Sequence, residues 1–243
     1  MPLRRAACRV VVLALALGVG GCAELQPLVE ELTRAGAARA GGGLDATTVA
    51  RGLREALSVG TDRTVGRTAT LDGFLGNALL RIALPESLER AARTLRDIGL
   101  GSQVDAVEVA MNRAAEGAAG EAREVFGDAI RAMTIEDALG ILDGGETAAT
   151  DYFRARTLTS LSTRFRPIVA TKMREVGVYD VYDGFRVASA AVPGLSGAAP
   201  DLEAHVTERT TAGLFAVLAE EEKRIRADPA ARTTDLLRRV FGR

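Results

Sequence analysis

Carboxylates are the reactive groups this sequence offers most freely, and Glu116, Asp128, Glu136, Asp137 and Asp151 are the candidates among them. Two acids in unlike environments can serve as general acid and base, and several together can hold a hard cation. Asn112, Arg113 and Glu116 form the densest polar group. At helical spacing Asn112 and Glu116 share a face, while Arg113 can fork onto an acid of a neighbouring helix. The same pattern also describes a solvated face or an interhelical salt-bridge network, and that is the simpler expectation.

Other chemistries are poorly supplied. His205 is the only histidine, so no second histidine or cysteine joins it at a zinc site, and it is expected to be structural or at the surface. No Gly-x-Ser-x-Gly elbow presents a serine to it. Asp180-x-x-Asp183-Gly184 has the look of a calcium loop but lacks the alternate ligands and the distal glutamate. No motif calls for a cofactor. The formal net charge is −1, so nothing is built to neutralise phosphates and nucleic acid is not an expected partner. With no tryptophan and 4% aromatic residues, a stacking platform for sugars or bases is not expected either.

The elements that position these residues begin with an address. Arg4, Arg5 and Arg9 precede an apolar run from Val10 to Val19, and Gly20, Gly21 and Cys22 follow. Basic residues, a short apolar stretch and small residues in that order read as a secretory signal over residues 1–21. The run is too short for a hydrocarbon core that needs about 20 residues. Val19-Gly20-Gly21-Cys22 resembles the bacterial lipobox, which implies cleavage before Cys22 and acylation there. By resemblance to bacterial lipoproteins, Ala23 in place of Asp favours passage to the periplasmic face of the outer membrane. The expected partner is thus a membrane, held through the N-terminal lipid anchor, since several acyl chains make residence effectively permanent.

Loss of Cys8 with the signal and acylation of Cys22 leave no cysteine pair, so stability must come from a packed core. Residues 22–43, with Ala40-Gly41-Gly42-Gly43 at their end, read as the lipidated cysteine and a flexible tether. From Leu44 to Arg243 apolar residues recur at three and four, and no stretch alternates as a strand does. The fold class is all-α: one multi-helix globular domain, of a length that buries roughly 70% of its unfolded surface.

Several helices show their ends. Pro85 opens one whose stripe is Leu88, Ala92, Leu95 and Ile98, closed by Gly99 and Gly101. Gln103 to Ala119 reads as amphipathic, with Val104, Val107, Met111 and Ala114 on one face and Asp105, Glu108, Asn112 and Glu116 on the other. Thr134 with Asp137 reads as an N-cap with an acid at N3, ahead of Ile135, Ala138, Leu139 and Leu142. A helix over 146–165 and a second one opened by Pro167 follow, then a short one over Tyr179 to Ala190 and a loop from Val192 to Pro200. Asp201 caps a long helix whose centre, Gly213 to Ala219, belongs in the core. Its end, Glu220-Glu221-Glu222-Lys223-Arg224, reads as an exposed, charge-paired turn. Asp228-Pro229 caps a last helix that docks through Leu236, Leu237, Val240 and Phe241.

Gly52–Leu57, Asp72–Phe74, Arg81–Pro85, Met111–Glu116, Met133–Ala138, Ala149–Phe153, Gly213–Phe215 running into Glu220–Glu222, and Asp228–Leu237 carry a resemblance. In that order they make the chain from about Leu44 to Gly242 similar to the bacterial family catalogued as domain of unknown function 4197. The resemblance implies a single helical domain in exported, often lipid-anchored, proteins, and it assigns no residue a catalytic or binding role.

The expected function is therefore a non-enzymatic helical module that binds a partner protein or an apolar ligand at the membrane surface. The alternative is a carboxylate-dependent enzyme, cation-assisted or not. Abundant alanine and glycine allow either a cavity between helices or a closely packed core, and the closed core is the favoured expectation.

Overall fold

The computed structural model describes residues 45–194 and 200–241, so the expected signal peptide, Cys22 and tether lie outside the described residues, as does part of the Val192 to Pro200 loop. Asp45 opens the fold: its carboxylate accepts the Thr48 N–H at 2.9 Å and caps α1 (Ala46–Thr68). An irregular segment, residues 69–85, and a 3-10 turn at Glu86–Leu88 lead to α2 (Glu89–Asp97) and α3 (Gly101–Ala119). Then come α4 (Ala122–Ala132), α5 (Ile135–Leu142), α6 (Ala148–Glu175), α7 (Val178–Ala190) and α8 (Leu202–Ala227). A second 3-10 turn at Pro229–Ala231 precedes α9 (Asp235–Phe241). Asp228-Pro229 therefore does not open the last helix as expected: Asp228 ends α8 and its carboxylate accepts the Ala230 N–H of the 3-10 turn at 2.8 Å. No strand occurs among the described residues, and the chain is all-α as its periodicity predicts.

α6 and α8 form the central pair. They run antiparallel, because Arg166 reaches Asp201 at the start of α8 while Arg154 lies over Phe215 further along it. α3 packs on both and on α7, and α1 packs on α8, α4, α5 and α9. At the centre Phe126 of α4 meets Phe153 of α6 and Phe215 of α8 edge-on, with centroids 6.0 and 5.7 Å apart. Gly213 admits the fully buried Phe74 ring so closely that a Cβ there would lie 2.8 Å from it. Among the described residues the core lies wholly within 44–243, which form a compact unit of their own, so this stretch is expected to fold by itself.

Several expectations need correction. Pro167 does not open a helix; it sits inside the 28-residue α6. Phe153, Thr157, Leu161, Phe165, Val169 and Met173 are all buried at a strict spacing of four, so the stripe continues through the proline. Core packing along that stripe outweighs the roughly 3 kcal/mol that an interior proline costs. Secondly, the polar face of α3 is not solvated: Glu108, Asn112 and Glu116 are buried along with Val104, Val107, Met111 and Ala114, and only Asp105 of that face is exposed. The segment 69–85 covers them. Thirdly, Glu221 and Glu222 are buried in the interior at the end of α8. Ile98, expected on the α2 stripe, and Ile135, expected on the buried face of α5, are exposed as well.

The capping box is present as read. Thr134 accepts the Asp137 N–H through its hydroxyl at 3.0 Å, and the Asp137 carboxylate accepts the Thr134 N–H at 3.0 Å. That backbone N–H, then the Thr134 hydroxyl, holds the Asp137 carboxyl below its ordinary value of 3.8. Thr134→Ala is expected to destabilise the domain by about 0.5–2 kcal/mol at pH 7. A carboxyl that titrates lower folded than unfolded stabilises above its unfolded value and ceases to do so as pH falls through its folded one. The penalty measured by urea unfolding should therefore shrink below about pH 3.8, and a pH-independent penalty would count against the box.

Candidate functional site

Of the seven sequence-predicted polar residues, Asn112, Arg113 and Glu116 come together and Asp128, Glu136, Asp137 and Asp151 do not join them. Asn112 pairs with a backbone as a second peptide would: its Oδ1 accepts the Ile82 N–H at 2.9 Å, and its Nδ2 donates to the Ile82 carbonyl at 2.8 Å. Glu116 accepts the N–H groups of Phe74 and Leu75, both at 3.1 Å, and a guanidinium N–H of Arg113 at 2.6 Å. Arg113 also donates to Asp72 at 2.7 Å. Its fork therefore closes on its own helix and on the 69–85 segment, not on a neighbouring helix. One and two turns back, Glu108 accepts from Arg81 at 2.9 Å and from Arg96 at 3.2 Å.

Glu108, Asn112 and Glu116, spaced by four, thus form a ladder whose rungs satisfy groups of an irregular segment that its own turn hydrogen bonds leave unpaired. Phe74, Leu80, Ile82 and Leu84 of that segment fill the core between the rungs. Gly73 lets it start, since a Cβ there would meet the Arg67 and Thr68 carbonyl oxygens at 2.6 Å. His205 fastens the far end by donating from Nε2 to the Ala83 carbonyl at 2.9 Å. The histidine is structural, as expected.

The remaining acids are dispersed. Asp128 of α4 pairs with Arg131 and Arg164 at the surface. Asp137 serves the capping box and accepts from the Tyr152 hydroxyl at 2.9 Å. Asp151 accepts from the Thr147 hydroxyl at 3.0 Å, and Glu136 is exposed. Among the described residues no three His, Cys, Asp or Glu side chains gather to hold a metal ion.

A second polar cluster was missed. Glu222 accepts the Ala149 N–H at 2.9 Å and the Thr150 N–H at 2.8 Å, so it caps the N-terminus of α6 from another helix. Arg226 donates to Glu222 at 3.0 Å and to the Ile141 carbonyl at 2.8 Å, closing the C-terminal end of α5. Glu221 is fully buried, takes Arg67 at 3.0 Å, and has Arg63 at 3.6 Å. The sequence signal was there: Glu222 falls on the line of Phe215, Leu218 and Ile225, and an acid on an apolar stripe is either buried and paired or misplaced.

A large concavity lies elsewhere, between α6 and α8. It is a surface groove of about 870 Å³ whose walls are Leu158, Ser162 and Ala170 from α6 and Ala204, Thr211 and Ala212 from α8. Phe215 lies at one end beneath Arg154, whose guanidinium carbon stands 5.2 Å from the ring centroid. Small residues facing one another on both helices leave this space. At the other end Arg166 is held by Asp201 and Glu203. Burial pushes the Tyr179 phenol up to about 12, and its hydrogen bond to Glu203 adds to this, so it stays a neutral donor to that carboxylate. Among the described residues no helix is long and apolar enough to cross a membrane.

Comparison with known proteins gives one match: a family model described as a protein of unknown function, DUF4197, aligns with residues 43–242. No curated protein and no solved structure matches the chain.

Proposed function

We propose a function for a chain that belongs to the DUF4197 family: it is a non-enzymatic module of the bacterial envelope, acylated at Cys22, that holds an apolar ligand in the groove between α6 and α8. The groove carries this reading. Its volume falls in the range of ligand sites, about 300–1,000 Å³, and its walls are mostly carbon with a few charged groups at the ends and Glu208 on the edge. A signal followed by Gly20-Gly21-Cys22 supports placement at a membrane surface, where apolar ligands concentrate. A carboxylate-dependent reaction has less support, because the acids it would use serve as helix caps, backbone acceptors and ion-pair partners in separate places.

Residues 44–243, exported on a cleavable signal and weighed intact by native mass spectrometry, are expected to carry excess mass that solvent extraction removes and a lipid extract restores. Ser162→Trp combined with Ala212→Trp, which fills the groove from both walls, is expected to emerge bare with its helical circular dichroism intact. Bare wild-type protein, or an equal load on the filled variant, would count against the groove.

A further inference from the structure

Resting on the groove reading, we infer that the occupant is a long-chain fatty acid anion, with its carboxylate on Arg154 and its chain lying along the walls toward Arg166. The charges at the two ends are unequal. Arg166 is taken up by Asp201 and Glu203, so that end carries more negative than positive charge. Arg154 makes no ion pair and no hydrogen bond among the described residues, and its guanidinium carbon stands 5.2 Å from the Phe215 ring centroid. With neither an ion pair nor a hydrogen bond among the described residues, that guanidinium keeps its N–H groups available, and those are the donors that match a carboxylate two at a time. An anionic head therefore has one favourable end and one unfavourable end, which fixes the direction of the chain.

The dimensions fit the same molecule. Arg154 and Arg166 stand twelve residues apart on α6, about 18 Å at 1.5 Å per residue, the extended length of a chain of about fourteen carbons. Between them the walls present Leu158, Ala170, Ala204 and Ala212, with Ser162 and Thr211 as the small polar interruptions. Glu208 on the groove's edge makes no ion pair among the described residues and further disfavours a head group at mid-groove. A peptide helix asks for more. Its width of about 10 Å has to lie between α6 and α8, and its backbone has no use for one free cation at one end.

The test uses residues 44–243 preloaded with N-phenylnaphthylamine, a neutral apolar fluorophore, and displaces it with myristate, with tetradecanol, which has the same chain and no charge, and with octanoate. Myristate is expected to displace the dye at about tenfold lower concentration than tetradecanol, as a charge-assisted head contact predicts, with octanoate weakest. Arg154→Gln is expected to erase that preference while leaving tetradecanol unchanged, and added salt should weaken myristate alone. Equal displacement by acid and alcohol in the wild type, or an acid preference that survives Arg154→Gln, overturns the inference while the groove reading stands. So does dye that leaves only for an amphipathic peptide. Dye that never enters, or that enters the Ser162→Trp, Ala212→Trp variant equally, overturns both.

Discussion

Glu116→Ala is expected to lower the stability of residues 44–243 by about 3–5 kcal/mol, the range for removing one member of a buried, hydrogen-bonded ion pair. The carboxylate accepts two backbone N–H groups of a segment that lacks regular structure, and it also holds Arg113. Alanine leaves Phe74 and Leu75 donating to nothing, each at a cost of about 1–3 kcal/mol, and leaves Arg113 with only the exposed Asp72. Glu116→Gln keeps an acceptor for the two N–H groups and loses the charge, so about 1–2 kcal/mol is expected. Urea unfolding measures the loss, and amide exchange at Phe74 and Leu75 locates it. A loss under about 0.5 kcal/mol with unchanged exchange would mean that burial of Phe74 and Ile82 alone holds the segment.

Glu222→Ala is the second large effect, again about 3–5 kcal/mol. The 28-residue α6 begins with no cap from its own chain neighbours: Thr147 makes no side-chain capping bond, and Glu222 takes the orphan N–H groups of Ala149 and Thr150 from across the core. A carboxylate there also meets the positive end of the helix dipole. Removing it releases Arg226 from one side while its bonds to the Ile141 and Leu142 carbonyls remain. The losses from Glu222→Ala and Arg226→Ala should therefore fall short of additive in the double variant, because the two act as one unit. Full additivity would separate the caps of α5 and α6, and the clamp would be two unrelated contacts.

How much of this was legible follows from what kind of signal each feature leaves. Thr134 and Asp137 were read correctly because a capping box is local: residue types at a fixed spacing of three complete the motif without any third party. Asp201 and the apolar centre of α8 were read for the same reason. Pro167 misled because the local rule for proline is strong, and the competing stripe from Phe153 to Met173 has to be summed over twenty-one residues before it wins.

The polar face of α3 misled differently. Glu108, Asn112 and Glu116 have the spacing of a solvated face, and nothing in α3 itself says that residues 69–85 will lie over it. Hydrogen bonds from Ile82, Phe74 and Leu75 decide the matter, and they come from about thirty to forty residues away in sequence. The groove was less legible still. Alanine, serine and threonine along two helices permit either close contact or a gap, and the antiparallel setting of α6 against α8 chose a gap at the surface.

The sequence by itself determined the all-α class, the local caps at Thr134 and Asp201, and the family, because periodicity and local capping act over one or two turns. Tertiary structure alone decided which charges became interior clamps, where the irregular segment found its partners, and that Arg154 was left with a free guanidinium above an open groove. Burial is the physical reason for the division: whether a carboxylate is solvated or must be satisfied depends on what lies across from it, and a one-dimensional pattern does not carry that information.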